Sequence, residues 1–151
     1  MELETLFSIC STIAMLGWAG LVLLPKWHVT RDWYALIAAP LMIAVVYAWL
    51  MVSNFGSAPE GSGFGSLAEV SKLFSVQELL LAGWIHYLAF DLFVGAWEVQ
   101  DAQANQVPHL LVIPCLIATL MAGPAGLLLY WIVKVIVRAV RNGQQATPQE
   151  A

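Results

Sequence analysis

Four apolar runs, each long enough to cross a bilayer as a helix, constrain this 151-residue chain more than any other feature. The hydrocarbon core of a membrane is about 30 Å thick, and a helix needs about 20 apolar residues to span it. Residues 3–24, 34–52, 76–99 and 108–138 meet that length. Composition agrees: 60% of the residues are hydrophobic and 11% charged, against about 45–50% and about 25% in soluble domains. The expected fold is all-α, an integral membrane four-helix bundle with a short interfacial helix before the third span. It occupies residues 1–141 as one domain, and residues 142–151 read as a polar disordered tail. The lipid bilayer is thus the first partner, and association of copies within it stays open. With a net charge of -4 and no block of Lys or Arg, nucleic acid is excluded as a partner.

Punctuation along the chain fills in this outline. Pro25 stops the first run, and Pro40 is expected to kink the second, because proline cannot donate to the helical ladder. Residues 53–66 are rich in Gly, Ser and Pro and read as a loop. Leu67, Val70 and Phe74 then recur at helical spacing opposite Glu69 and Lys72, the pattern of a short helix lying in the interface. Ser75-Val-Gln-Glu78 reads as a capping box for the third span. Pro108 opens the fourth, and Pro124 is expected to bend it, with Gly123 and Gly126 close against a neighbouring helix. Four spans would place both termini on one side. Lys72, Lys134, Arg138 and Arg141 on that side, against Lys26 and Arg31 on the other, put the termini in the cytoplasm. The first helix taken alone argues the reverse. Glu2 and Glu4 replace the basic start of a cleaved signal, and the first run is long for one, so it reads as a retained helix. Cys10 and Cys115 belong to no Cys-x-x-Cys motif and read as inert thiols.

Ionisable residues inside a span are costly, so each one poses a functional question. The third run holds His86, Asp91 and Glu98, with Asp101 just beyond it. At about 100° per residue, Asp91 and Glu98 share a stripe with Trp84 and Tyr87, while His86 points about 140° away with Phe90. Loops one and three are expected to meet at one mouth, gathering Lys26, His28, Arg31 and Asp32 with Glu98, Asp101 and His109. Such a mouth would admit the polar end of a greasy substrate and lead it down to Asp91. His86 and Asp91 are the candidate acid–base pair. Trp84, Tyr87, Phe90, Glu98, Asp101 and His109 are the candidate substrate-binding residues. Each also has a structural reading: Asp91 as a tie between helices, His86 as a packing residue, the shallower groups as ordinary interfacial polarity. No cofactor or metal is expected, since no zinc spacing is present and the histidines lie at unmatched depths for haem.

The stretch Leu81-Ala-Gly-Trp-Ile-His86-Tyr-Leu-Ala-Phe-Asp91-Leu-Phe-Val-Gly95 resembles the central signature of the abscisic acid deficient four-like family. Val107-Pro-His-Leu-Leu-Val-Ile-Pro114-Cys115, Gly123-Pro-Ala-Gly-Leu-Leu-Leu-Tyr130 and the Gly-rich loop leading to Ser66 and Phe74 resemble it as well. Plant members are plastid membrane proteins needed to form the allenic carotenoid neoxanthin from the epoxide violaxanthin. The resemblance therefore implies a membrane-embedded isomerase-type enzyme acting on a lipophilic isoprenoid- or carotenoid-like substrate. The competing reading is a non-catalytic protein that binds lipid or carotenoid and assists a partner enzyme. The start is neither Arg-rich nor Ser-rich as a transit peptide would be, so the expected setting is a bacterial inner membrane.

Overall fold

The computed structural model describes residues 2–146. It is all-helical among them, and three of its helices are long and apolar enough to cross a membrane. Helix α1, Leu3–Leu23, ends where Pro25 removes a donor. Helix α2 begins as a π-helix, Val29–Ala38, and continues as an α-helix, Ala39–Asn54. The widened register ends just before Pro40, whose missing N–H is the local reason for a change of ladder there. A short helix α3, Leu67–Leu73, precedes the long α4, Gln77–Ala104.

Helix α4 is the axis of the molecule, packing against α1 on one side and α2 on another. Its small residues Ala82, Ala89 and Ala96 are buried, and Gly17 of α1 lies against Leu92. The outer surface is apolar: Leu16, Val45 and Leu128 are each at least 60% exposed. That surface suits lipid rather than water. The expected short helix before the third span is present, but its cap differs from the reading of the sequence. Ser66, not Ser75, is the N-cap that forms. Its Oγ accepts from the Glu69 N–H, and the Glu69 carboxylate accepts from the Gly65 N–H. Ser75 instead donates to the Lys72 carbonyl, and α4 starts after Val76 with no side-chain cap.

The largest departure concerns the fourth run, which is two helices. Helix α5, His109–Ala122, stops at Gly123, and helix α6, Pro124–Ala146, starts at once. Gly123 has φ +35° and ψ -96°, a conformation costly for any residue with a Cβ. Its N–H closes α5 on the Thr119 carbonyl, and its own carbonyl receives the Gly126 and Leu127 N–H groups that open α6. Proline is a poor interior residue but a good first one, because its missing donor is unneeded there. Gly-Pro thus ends one helix and starts another, where the sequence reading has a bend.

Partners along α4 fix the direction of each new helix. Thr119 bonds Glu98, the Leu120 carbonyl meets Tyr87, and Gly123 abuts Asp91, so α5 runs antiparallel to α4. Tyr130 and Lys134 then reach Asp101, and Arg138 and Arg141 reach Asn105, so α6 runs back beside α5. At 1.5 Å per residue the 14 residues of α5 cover about 21 Å, short of a full crossing. The pair is a hairpin that enters to the level of Asp91, the midpoint of α4, and returns. Leu3 and Ala146 therefore lie at opposite ends of the molecule, not at one end as four spans would require. Helix α6 continues through residues 142–146, where a disordered tail is expected from composition. The rest of that tail, 147–151, lies outside the described residues.

Candidate functional site

The hairpin lines up a polar seam along one stripe of α4. Deepest is Asp91, 9% exposed, at the hairpin tip. A Cβ on Gly123 would stand 2.8 Å from its Oδ1, so only glycine lets the turn approach this closely. The Tyr87 hydroxyl donates to the Leu120 carbonyl (2.7 Å) and lies against the same carboxyl. Two turns further along, Glu98 is fully buried and accepts from the Thr119 hydroxyl (3.0 Å). Asp91 Oδ2 and Glu98 Oε2 are both buried without a hydrogen-bond partner.

Next along α4, Asp101 is held by two groups from α6. The Tyr130 hydroxyl donates to its Oδ2, and the Lys134 ammonium stands 2.6 Å from the same oxygen. Lys134 also lies 4.4 Å above the Trp131 ring. At 5% exposure it is an interior cation, not the headgroup contact that its place near the basic end suggests.

Loops one and three do meet, as the mouth requires. Gln103 donates to the Pro25 carbonyl (2.6 Å), Gln100 donates to Asp32 (2.9 Å), and Arg31 pairs with Asp32 and Gln103. His109 is within 3.0 Å of the Val22 carbonyl and so ties α5 to α1. Glu98 belongs to the interior beside Thr119, below this mouth and not in it.

His86 is not brought to Asp91. It is exposed on the opposite face of α4, stacked on Phe90 (4.6 Å between centroids) and tilted against Tyr47 of α2 (5.4 Å). Phe90 is 60% exposed on that same outer face. Trp84 stays with the acid stripe, between Phe7 of α1 and Tyr87. The residues that sequence reasoning misses are Gly123, Thr119, Tyr130 and Lys134, all supplied by the hairpin. The signal was present in Gly-Pro, a helix stop followed by a helix start, and in Tyr130 and Lys134 four residues apart. No three His, Cys, Asp or Glu side chains converge as metal ligands among the described residues.

Chemically, the seam offers carboxyl groups removed from water, with Asp91 at the midpoint of a helix long and apolar enough to cross a membrane. A carboxyl there has much to gain from a proton or a polar ligand. Comparison with known proteins gives this geometry a context. A family model described as ABA DEFICIENT 4-like matches residues 5–130, a segment that contains the whole acid stripe and the hairpin turn. The chloroplastic protein ABA DEFICIENT 4 of Arabidopsis thaliana is 23% identical over 142 residues, covering 89% of this chain. This chain spans 62% of the length of that relative. No solved structure matches.

Proposed function

The chain belongs to the ABA DEFICIENT 4-like family, and from that premise we propose a membrane-embedded isomerase for a lipophilic isoprenoid- or carotenoid-like substrate, with Asp91 as its acid. The observation that carries this reading is the buried Asp91 carboxyl, one oxygen of which has no hydrogen-bond partner, beneath a glycine turn at the centre of the helix bundle. Burial favours the neutral, proton-donating form of a carboxyl. A substrate of the epoxide type needs one proton delivered to its oxygen and one removed from carbon. Asp91 can do both in turn: its carboxyl protonates the oxygen as the C–O bond breaks, and the carboxylate left behind takes the C–H proton. No atom is gained or lost, so the sum is an isomerisation. His86 has no part in this exchange, because it faces the other side of α4. It stands with Phe90 as outer-face packing. Tyr87 positions the Asp91 carboxyl, and Glu98 and Asp101 hold the hairpin in place.

A second reading has its own observation. Tyr87, Glu98 and Asp101 each bond a group on the hairpin, which a purely structural polar seam would also do. On that reading the chain binds lipid or carotenoid and assists a partner enzyme. Purified protein in lipid nanodiscs, supplied with an epoxy-carotenoid, separates the two. Conversion that survives in Asp91→Gln at the wild-type rate, or no conversion by folded wild-type protein, removes the acid role.

A further inference from the structure

Because the hairpin turns at the level of Asp91, it leaves α1 and α4 uncovered on its own side between that level and their N-terminal ends, while Ile43 and Leu50 of α2 pack across the other side. A cleft of about 690 Å³ opens there, with Leu3 and Phe7 of α1 facing Leu80, Leu81 and Trp84 of α4. Ligand sites of small molecules typically run from about 300 to 1,000 Å³. Phe7, Leu80 and Trp84 are each 39–54% exposed, so the cleft opens sideways toward lipid. Its rim at the helix ends is Glu2, Glu4 and Gln77, and no Lys, Arg or His lines it among the described residues. Its inner end is marked by an aromatic path. Trp84 packs on Tyr87 at 5.5 Å, and Tyr87 touches both Asp91 and the Leu120 carbonyl in the last turn of α5. That carboxyl, nine-tenths buried, keeps one oxygen without a partner.

We propose that this cleft binds a long neutral lipophile end-on. A hydroxyl at one end bonds the acceptors Glu2, Glu4 and Gln77, and the chain runs past Phe7, Leu80 and Trp84 toward Asp91. Along α4 the lining of the cleft runs from Gln77 to Trp84, about 11 Å of helical rise, and Asp91 lies about 11 Å further along the helix. Two carboxylates at the rim favour a hydrogen-bond donor and repel an anionic head. The isoprenoid class of the chain rests on the function proposed above, while the position of the cleft and the sign of its rim do not.

Retinol and retinoic acid, a hydroxyl and a carboxylate on one polyene, are the probes. Energy transfer from tryptophan to each is measured on the protein in nanodiscs of zwitterionic lipid. Retinol is expected to bind saturably and at least about tenfold more tightly than retinoic acid. Leu80→Trp, at a 54% exposed position that does not hold the fold, should fill the cleft and weaken retinol about tenfold. The Glu2→Gln/Glu4→Gln double variant should erase the preference for retinol. Equal binding of both probes by the wild type, or unchanged retinol affinity in Leu80→Trp, overturns the proposal. Retinol bound as expected while Asp91→Asn converts epoxy-carotenoid normally would sink the catalytic reading and leave the cleft standing. Conversion undiminished in Leu80→Trp but lost in Asp91→Asn would do the opposite.

Discussion

Asp91 and Glu98 sit seven residues apart on one stripe of α4, and burial makes their unpartnered oxygens expensive at about 1–3 kcal/mol each. The consequences differ by residue. Asp91→Asn keeps the size and most of the hydrogen bonding but cannot exchange a proton. The folded yield in detergent should stay near wild type, and conversion or ligand retention per folded molecule should fall at least about tenfold. Unchanged behaviour in both measures would leave Asp91 a structural tie. Thr119→Val preserves shape while removing the donor to fully buried Glu98. Leaving that oxygen without a partner should lower stability by about 1–3 kcal/mol, read as an earlier unfolding midpoint in a detergent thermal scan. An unmoved midpoint would show that the Glu98 carboxyl needs no partner there.

The deciding element is the α5–α6 hairpin, which depends on two close approaches. At Gly126 a Cβ would fall 2.0 Å from the backbone nitrogen of Thr119, far inside contact distance. Gly126→Leu should therefore part the two helices and abolish a monodisperse peak in size-exclusion chromatography. A normal peak would place Gly126 against lipid instead. On the other flank, Lys134 and Asp101 form a pair of low exposure (6% and 19% for the side chains). Removing one member of a buried pair costs about 3–5 kcal/mol. Lys134→Met is expected at the low end of that range, since Asp101 keeps the Tyr130 hydroxyl and some water. The double change Lys134→Met/Asp101→Leu should recover most of the loss in the same thermal scan. Failure to recover would mean that the two side chains contribute independently.

For the whole molecule, a returning hairpin changes which charges share a side. Lys26, Arg31, Lys134, Arg138 and Arg141 all cluster toward the C-terminal end of α4, leaving Lys72 at the other end. That is five of six cations on one side, where four full spans would divide them four to two. The positive-inside rule then predicts the C-terminal end of α4 on the cytoplasmic side and the N-terminus on the other. Reporter fusions after residues 30, 104 and 146 should all report cytoplasm, and an N-terminal fusion the opposite face. An N-terminal reporter on the same side as the one after residue 146 would restore four spans. The same arrangement leaves a predominantly acidic N-terminal side, with Glu2, Glu4, Glu60, Glu69 and Glu78 against Lys72.

Periodicity and composition were enough to determine the all-helical class, three of the four expected apolar spans, the short helix before α4 and the stripe that Asp91 shares with Tyr87 and Glu98. These are local properties: the apolar length needed to cross a bilayer and the 3.6-residue turn are the same wherever the segment sits. Even the separation of His86 from Asp91 follows from the angle between them on one helix. What lay beyond the reach of local rules was the choice between bend and reversal at Gly123-Pro124. Both choices satisfy the same two residues locally, and the balance is tipped by contacts far away in the chain: Thr119 on Glu98, Tyr130 and Lys134 on Asp101, and the Gly126 backbone against Thr119. Only that tertiary packing buries Lys134, turns Asp91 into the floor of a half-depth hairpin, and leaves the cleft between α1 and α4 uncovered. The sequence determined which groups would be on the stripe; the fold decided what stands opposite them, because a partner in space is not a neighbour in sequence.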